Sequence, residues 1–165
     1  MVENRYKIVG RRFLANVIDE IIFVPVSILS SNISSSGFIS IVLLFVPILF
    51  WTFYFVFFNG KYGQTIGKKL IGIKILDINE KEVIGFKRAL YRDGFWFIAG
   101  LIGLGYFIFS FTGNRESVEG VRNNYDEYMS TISVIWMLIE IATVFTNQKR
   151  RALHDYLASS VVIAV

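Results

Sequence analysis

Asp19 and Glu20 stand side by side near the middle of RRFLANVIDEIIFVPVSILS, residues 11–30, and Glu140 interrupts a second apolar run, YMSTISVIWMLIEIATVFTN, at 128–147. Carboxyls in such surroundings either hydrogen-bond neighbouring helices or form a proton or cation site. Asp19 lies seven residues from Arg12, and Glu140 lies seven before Asn147. At 1.5 Å per residue each carboxyl is about 10.5 Å from the end of its run. If both ends meet one interface, Asp19 and Glu140 share a depth. Two carboxyls that approach in low dielectric cannot easily both ionise, so a shared proton, a cation or a neighbouring base would follow. Helical side chains lean toward the N-terminus, which makes Arg12 a poor direct partner for Asp19. Arg12 is expected to extend toward the nearby surface instead.

Burying these acids in lipid is expensive. From Phe13 to Ser30 there are 11 Leu, Ile, Phe or Val residues. At about −0.3 to −0.6 kcal/mol each they contribute roughly −3 to −7 kcal/mol to insertion, while one central Asp costs about +2.5 to +3.5 kcal/mol. A Glu of similar cost cancels most of that gain, and Asn16 and Pro25 weaken it further. The acidic side of this helix is therefore expected to face other helices or water.

The elements that must hold these residues read as membrane spans. The chain has 165 residues, 54% of them hydrophobic and 18% charged, whereas soluble domains average about 45–50% and 25%. Apolar runs at about 12–30, 38–58, 94–113 and 128–147 are each long enough to cross about 30 Å of hydrocarbon. The first is not a removable signal, because acids break it and no A-x-A pattern follows. Fifteen of the 17 Lys and Arg residues fall in the N-terminal arm, the 59–93 segment and the tail after 147. The loops 31–37 and 114–127 hold only Arg115 and Arg122. Both termini and the 59–93 segment are thus expected on the cytoplasmic side. The expected fold is one domain, an all-α membrane protein of four transmembrane helices with a small cytoplasmic strand element.

Three segments together resemble the RDD family, bacterial membrane proteins named for one arginine and two aspartates. RFLANVID places Arg12 and Asp19 at the family's spacing. GQTIGKKLIGIKILD at 63–77 is similar to the family's Gly-Gln-Thr-x-Gly-Lys stretch, and in KRRALHDYLASSVVI at 149–163 Asp155 matches the second aspartate. Where many relatives carry Gly-Thr before the last apolar run, this chain has Ser159-Ser160, and Glu140 adds an acid to the fourth span. The resemblance implies a multi-pass protein of the bacterial plasma membrane. It also implies cation/proton antiport, as suggested for some members, or an accessory or regulatory role, as suggested for others.

Other segments carry a sharp and a plain reading. GQTIGKK at 63–69 has three spacers and a final Lys where a P-loop needs four and Ser or Thr. The plain reading is an interfacial turn in which Lys68 and Lys69 meet anionic headgroups. LIGIKIL at 70–76 suits a short strand, which NEKE at 79–82 could turn back toward VIGF, with an interfacial helix over 86–92. The strand-like terminus SSVVIAV is expected to pair with 70–76, since unpaired edges are a liability. The alternative docks that tail, with Arg150, Arg151, Ser159, Ser160, Val161 and Val162, on a partner. Asp155 has two candidate counter-ions, Arg151 four residues before it and Arg12. Ala99, Gly100 and Gly103 predict close helix packing.

Function is expected to follow from these features. There is no cysteine, and His154 is the one histidine. Neither a thiol or disulfide site nor a histidine-based metal centre is expected, and no cofactor. No nucleophile–base arrangement stands out for an enzyme acting on lipid. Two readings remain. One is a non-enzymatic accessory or inhibitory subunit of a larger membrane protein or membrane-bound enzyme, such as a protease. The other is an antiporter using the intramembrane carboxyls, with homo-oligomers expected there. The partners are the lipid bilayer and a membrane protein, not nucleic acid.

Overall fold

Apolar runs of about 20 residues fold here into four long helices. The computed structural model describes residues 5–32, 38–113 and 118–165. The elements are α1 (Val9–Asn32), α2 (Phe38–Tyr62), α3 (Ile66–Ile71), β1 (Ile73–Asp77), α4 (Gly85–Gly113), α5 (Val118–Phe145), α6 (Leu153–Leu157) and β2 (Ser160–Ala164). At 1.5 Å per residue the long helices reach about 36–44 Å, and they stand at the four expected spans. Among the described residues one of them, α5 over Asp126–Phe145, is long and apolar enough by composition to cross a membrane. Residues 33–37 and 114–117, with Arg115, lie outside the described residues.

Helices α2 and α4 share the most extensive interface. Gly100 permits it, because a Cβ there would sit 2.9 Å from Cγ2 of Ile48, in keeping with the expected small-residue packing. Two boundaries differ from expectation. Residues 86–92 are not a separate interfacial helix, because α4 runs unbroken from Gly85. Residues 118–127, expected as loop, are the first turns of α5.

The two strands form an antiparallel pair, from Ile73 opposite Ala164 to Asp77 opposite Ser160. The predicted pairing of the C-terminus with the 70–76 region is therefore formed. VIGF makes no strand. After β1 the chain turns on Asp77, whose carboxylate accepts from the N–H groups of Lys81 at 2.8 Å and Glu82 at 3.2 Å. Ile73, Ile75 and Val162 are buried with Ile8, Ala15, Ile84 and Ala89. That apolar cluster seats the sheet and the short helices at one end of the long helices.

Candidate functional site

Asp19 is fully buried on α1, and the GQTIGKK stretch is its receptor. Oδ1 accepts from the Tyr54 hydroxyl at 2.8 Å and from the Gly67 N–H at 2.8 Å, and Oδ2 accepts from the Thr65 hydroxyl at 2.5 Å. Thr65 is the N-cap of α3 and also accepts from the Lys68 N–H. The carboxylate thus meets one of the first N–H groups of that helix at its positive dipole end. Gly67 is required by contact, since a Cβ there would lie 2.2 Å from the Ala15 carbonyl oxygen and 2.9 Å from Cγ of Asp19. Gly63 is required by backbone, with φ +68° and Ile75 donating to its carbonyl at 2.7 Å. The motif docks α3 onto α1.

Asp155, on α6, is the second fully buried aspartate. Arg12 Nη1 donates to Oδ2 at 2.7 Å, and Arg92 Nη1 donates to Oδ1. The Ala152 N–H closes the start of α6 on Oδ2 at 3.0 Å, and the Ser160 hydroxyl lies 3.3 Å from Oδ1. Burial by itself pushes this carboxyl up, but the Arg12 and Arg92 guanidiniums outweigh it and hold the group well below the usual carboxylate range. One carboxylate therefore ties together α1, α4, α6 and β2.

Glu140, on α5, meets His154 of α6 through Nδ1. The other ring nitrogen, Nε2, lies 2.8 Å from Arg92 Nη2. A guanidinium only donates, so Nε2 accepts and Nδ1 carries the proton given to Glu140. Beside this chain lies a cavity of about 420 Å³ between the long helices, with Arg12, Glu20, Lys68, Arg92 and Glu140 on its wall. Glu20 accepts from the Trp51 indole at 3.4 Å. A further knot at the same end of the molecule joins Glu80 to Arg5 at 3.5 Å, to Lys149 at 3.0 Å and to the Tyr6 hydroxyl.

Several expectations are corrected by these positions. Asp19 and Glu140 are not partners: Asp19 is satisfied by α2 and α3, and Glu140 by His154. Arg12 does not reach for the surface, and its side chain is 13% exposed because Asp155 holds it. The open question over Asp155 resolves to Arg12 with Arg92, while Arg151 instead donates to the backbone carbonyls of Asp155 and Ser160. Lys68 does not stand on an exposed turn, because it is buried, whereas Lys69 is exposed. Of the tail residues that the alternative docks on a partner, Ser160, Val161 and Val162 are buried in the internal sheet. Ser159, at φ 48°, turns the chain into β2, and Arg150 lies over the Phe145 ring, 5.3 Å from its centroid. Reading the sequence missed Arg92, counted only as a topology charge, and Tyr54 and His154. For Thr65 and Gly67 a signal existed in the Gly-Gln-Thr stretch, without the identity of what they bind.

The sequence model of the RDD family matches residues 6–159. Comparison with curated proteins and with solved structures finds no match. The matched range contains the arginine and both aspartates around which the buried polar contacts are built, and the chain belongs to the RDD family.

Proposed function

We propose that the chain is a multi-pass protein of the bacterial plasma membrane that acts without catalysis, as an accessory or inhibitory subunit of a larger membrane protein or membrane-bound enzyme such as a protease. In this reading α1, α2, α4 and α5 cross the bilayer, with both termini and residues 59–93 in the cytoplasm. The observation that carries it is the use made of the two family aspartates. Three donors satisfy Asp19 and two guanidiniums hold Asp155, so both act as ties between elements. The sheet and the Arg12–Asp155–Arg92 contacts bring the N-terminal arm, the 59–93 segment and the tail together, which supports a reading in which they share one side of the bilayer. Apolar side chains on α1 and α5 remain exposed, among them Phe13 at 67% and Leu138 at 58%, and these faces suit lipid or another helix.

Reporter fusions after residues 33, 75, 120 and 160 test the topology, with external, cytoplasmic, external and cytoplasmic readouts expected. An external C-terminus would sink the orientation. Purification in mild detergent followed by identification of co-eluting membrane proteins tests the accessory role, and a chain that elutes reproducibly alone contradicts it.

One observation favours the second reading, cation/proton antiport: Glu20, Glu140 and His154 line the same cavity. Purified protein in vesicles should then show cation-dependent proton flux, lost in Glu140→Gln. Flux of that kind would place antiport ahead of the accessory role.

A further inference from the structure

The ion pairs around Asp155 leave one side of the cavity unmatched. Lys68 lines it at 6% exposure. Its Nζ reaches the Thr65 hydroxyl at 3.3 Å and sits over the Phe55 ring, 5.1 Å from the centroid, with no carboxylate within ion-pairing distance among the described residues. Burial, then the nearby Arg92 charge, push this ammonium down to about 8. Arg12 gives Nη1 to Asp155, but its Nε and Nη2 are buried without a hydrogen-bond partner. Arg92 Nε also makes no hydrogen bond, although the Asp93 carboxylate lies 3.7 Å away. Buried donors on charged groups are costly when unmet.

The neighbouring acids do not meet these donors. Asp155 is shared by two arginines, Glu140 is bound to His154, and Asp93 accepts from Asn59 at 2.7 Å. Glu20 meets Trp51. Much of the remaining wall is aromatic, including Trp96 and Trp136, the latter stacked on Phe95 at 3.7 Å between centroids. A pocket between long helices that sets Lys68, Arg12 and Arg92 beside apolar walls, with Glu20, Asp93 and Glu140 also on its lining, suits an anionic head carrying an apolar body where those donors are unmet.

We propose that this cavity binds a phosphate-type oxyanion through Lys68, Arg12 and Arg92, with the aromatic wall taking the apolar part of the molecule that carries it. The site goes beyond the accessory role and depends on neither functional reading above. The same chemistry is offered by an anionic lipid headgroup and by a soluble phosphate.

The test uses full-length protein in phosphatidylcholine nanodiscs, read by thermal unfolding and native mass spectrometry. One arm adds phosphatidylglycerol to the bilayer, and a second adds inorganic phosphate or glycerol phosphate to the buffer, with choline as a cationic control. An oxyanion should raise the unfolding temperature and be retained on the chain. Lys68→Met, confirmed as helical by circular dichroism, should bind at least about fivefold more weakly, and Lys68→Arg should retain binding. A response to phosphatidylglycerol alone identifies a headgroup site, and a response to both arms shows that the phosphate suffices. Equal binding by Lys68→Met would overturn the proposal. Should Lys68→Met not fold, the wild-type series decides: no response to either oxyanion, or one no larger than to choline, overturns it as well.

Discussion

Arg12 Nη1 and Asp155 Oδ2 lie 2.7 Å apart although 143 positions separate them in the chain, so the first long helix and the last short one are joined by a buried charge pair. Asp155 also holds Arg92, and that second contact changes what a charge exchange can do. Arg12→Asp with Asp155→Arg would set a new cation against Arg92, so the swap should not recover stability. The informative experiment is a double-mutant cycle of Arg12→Met and Asp155→Asn in detergent. Each single change should cost about 3–5 kcal/mol, since it leaves buried charge uncompensated, and the double should cost clearly less than their sum. Additivity within about 0.5 kcal/mol would remove the pair.

The same contact has a pH signature. The Asp155 carboxyl is held below its unfolded value, so its stabilising contribution is complete above about pH 4 and is lost as pH falls further. The stability difference between wild type and Asp155→Asn should therefore be flat between pH 5 and 7 and shrink on acidification below about pH 4. A difference that changes between pH 5 and 7 would show that another group controls the interface.

Asp19→Asn keeps the side chain's shape but loses the charge-assisted bonds to Tyr54, Thr65 and Gly67. In the proposed topology α1 crosses the bilayer, where removing a charge eases insertion, so the protein should still accumulate, at a cost of about 1–3 kcal/mol. Asp19→Leu leaves three buried donors unmet and should be far worse. Equal unfolding midpoints for the two variants would mean that the receptor contributes little.

Gly67→Ala forces a Cβ to within 2.2 Å of the Ala15 carbonyl. Backbone cannot yield as a flexible side chain can, so α3 should separate from α1 at a cost of more than about 3 kcal/mol. Gly10→Ala, with nothing within 4 Å of the added carbon, is the control and should be neutral or slightly stabilising. Protease accessibility of residues 63–77 in the two variants reads the difference directly.

Lys68 shifts in the same direction as Asp155, but for a cation a lowered value is destabilising near neutral pH. Its folded value is depressed to about 8 from about 10.4 in the unfolded chain. Between those values the unfolded state holds more protons, so wild-type stability should rise with pH across that window. Lys68→Met should lack that rise and, without a bound anion, be more stable near neutral pH by on the order of 2–3 kcal/mol. A wild-type profile parallel to that of Lys68→Met between pH 8 and 10 would show that the ammonium is not desolvated in the folded protein.

The sequence by itself determined the positions of the four long helices, because a run of some 20 apolar residues is a local property. It also determined which segments the Lys and Arg residues crowd, because that is a count. It marked Asp19 as out of place, because a charge among apolar neighbours is visible one residue at a time, while Arg12 and Asp155 stood out through the resemblance to the RDD family. The terminal strand's pairing with the 70–76 region was legible as well, from its β-branched residues and the cost of an unpaired edge. What each charge binds was decided only by the tertiary structure. Tyr54 and Thr65 lie 35 and 46 positions from Asp19, and Arg92 lies 63 from Asp155. No periodicity encodes those separations; they follow from how α1, α3, α4 and α6 pack. Equal depth suggested that Asp19 and Glu140 would meet, yet depth fixes one coordinate and helix rotation fixes the other. Asp19 faces the start of α3 and Glu140 faces His154, because at those orientations each carboxylate finds donors in place of a second negative charge.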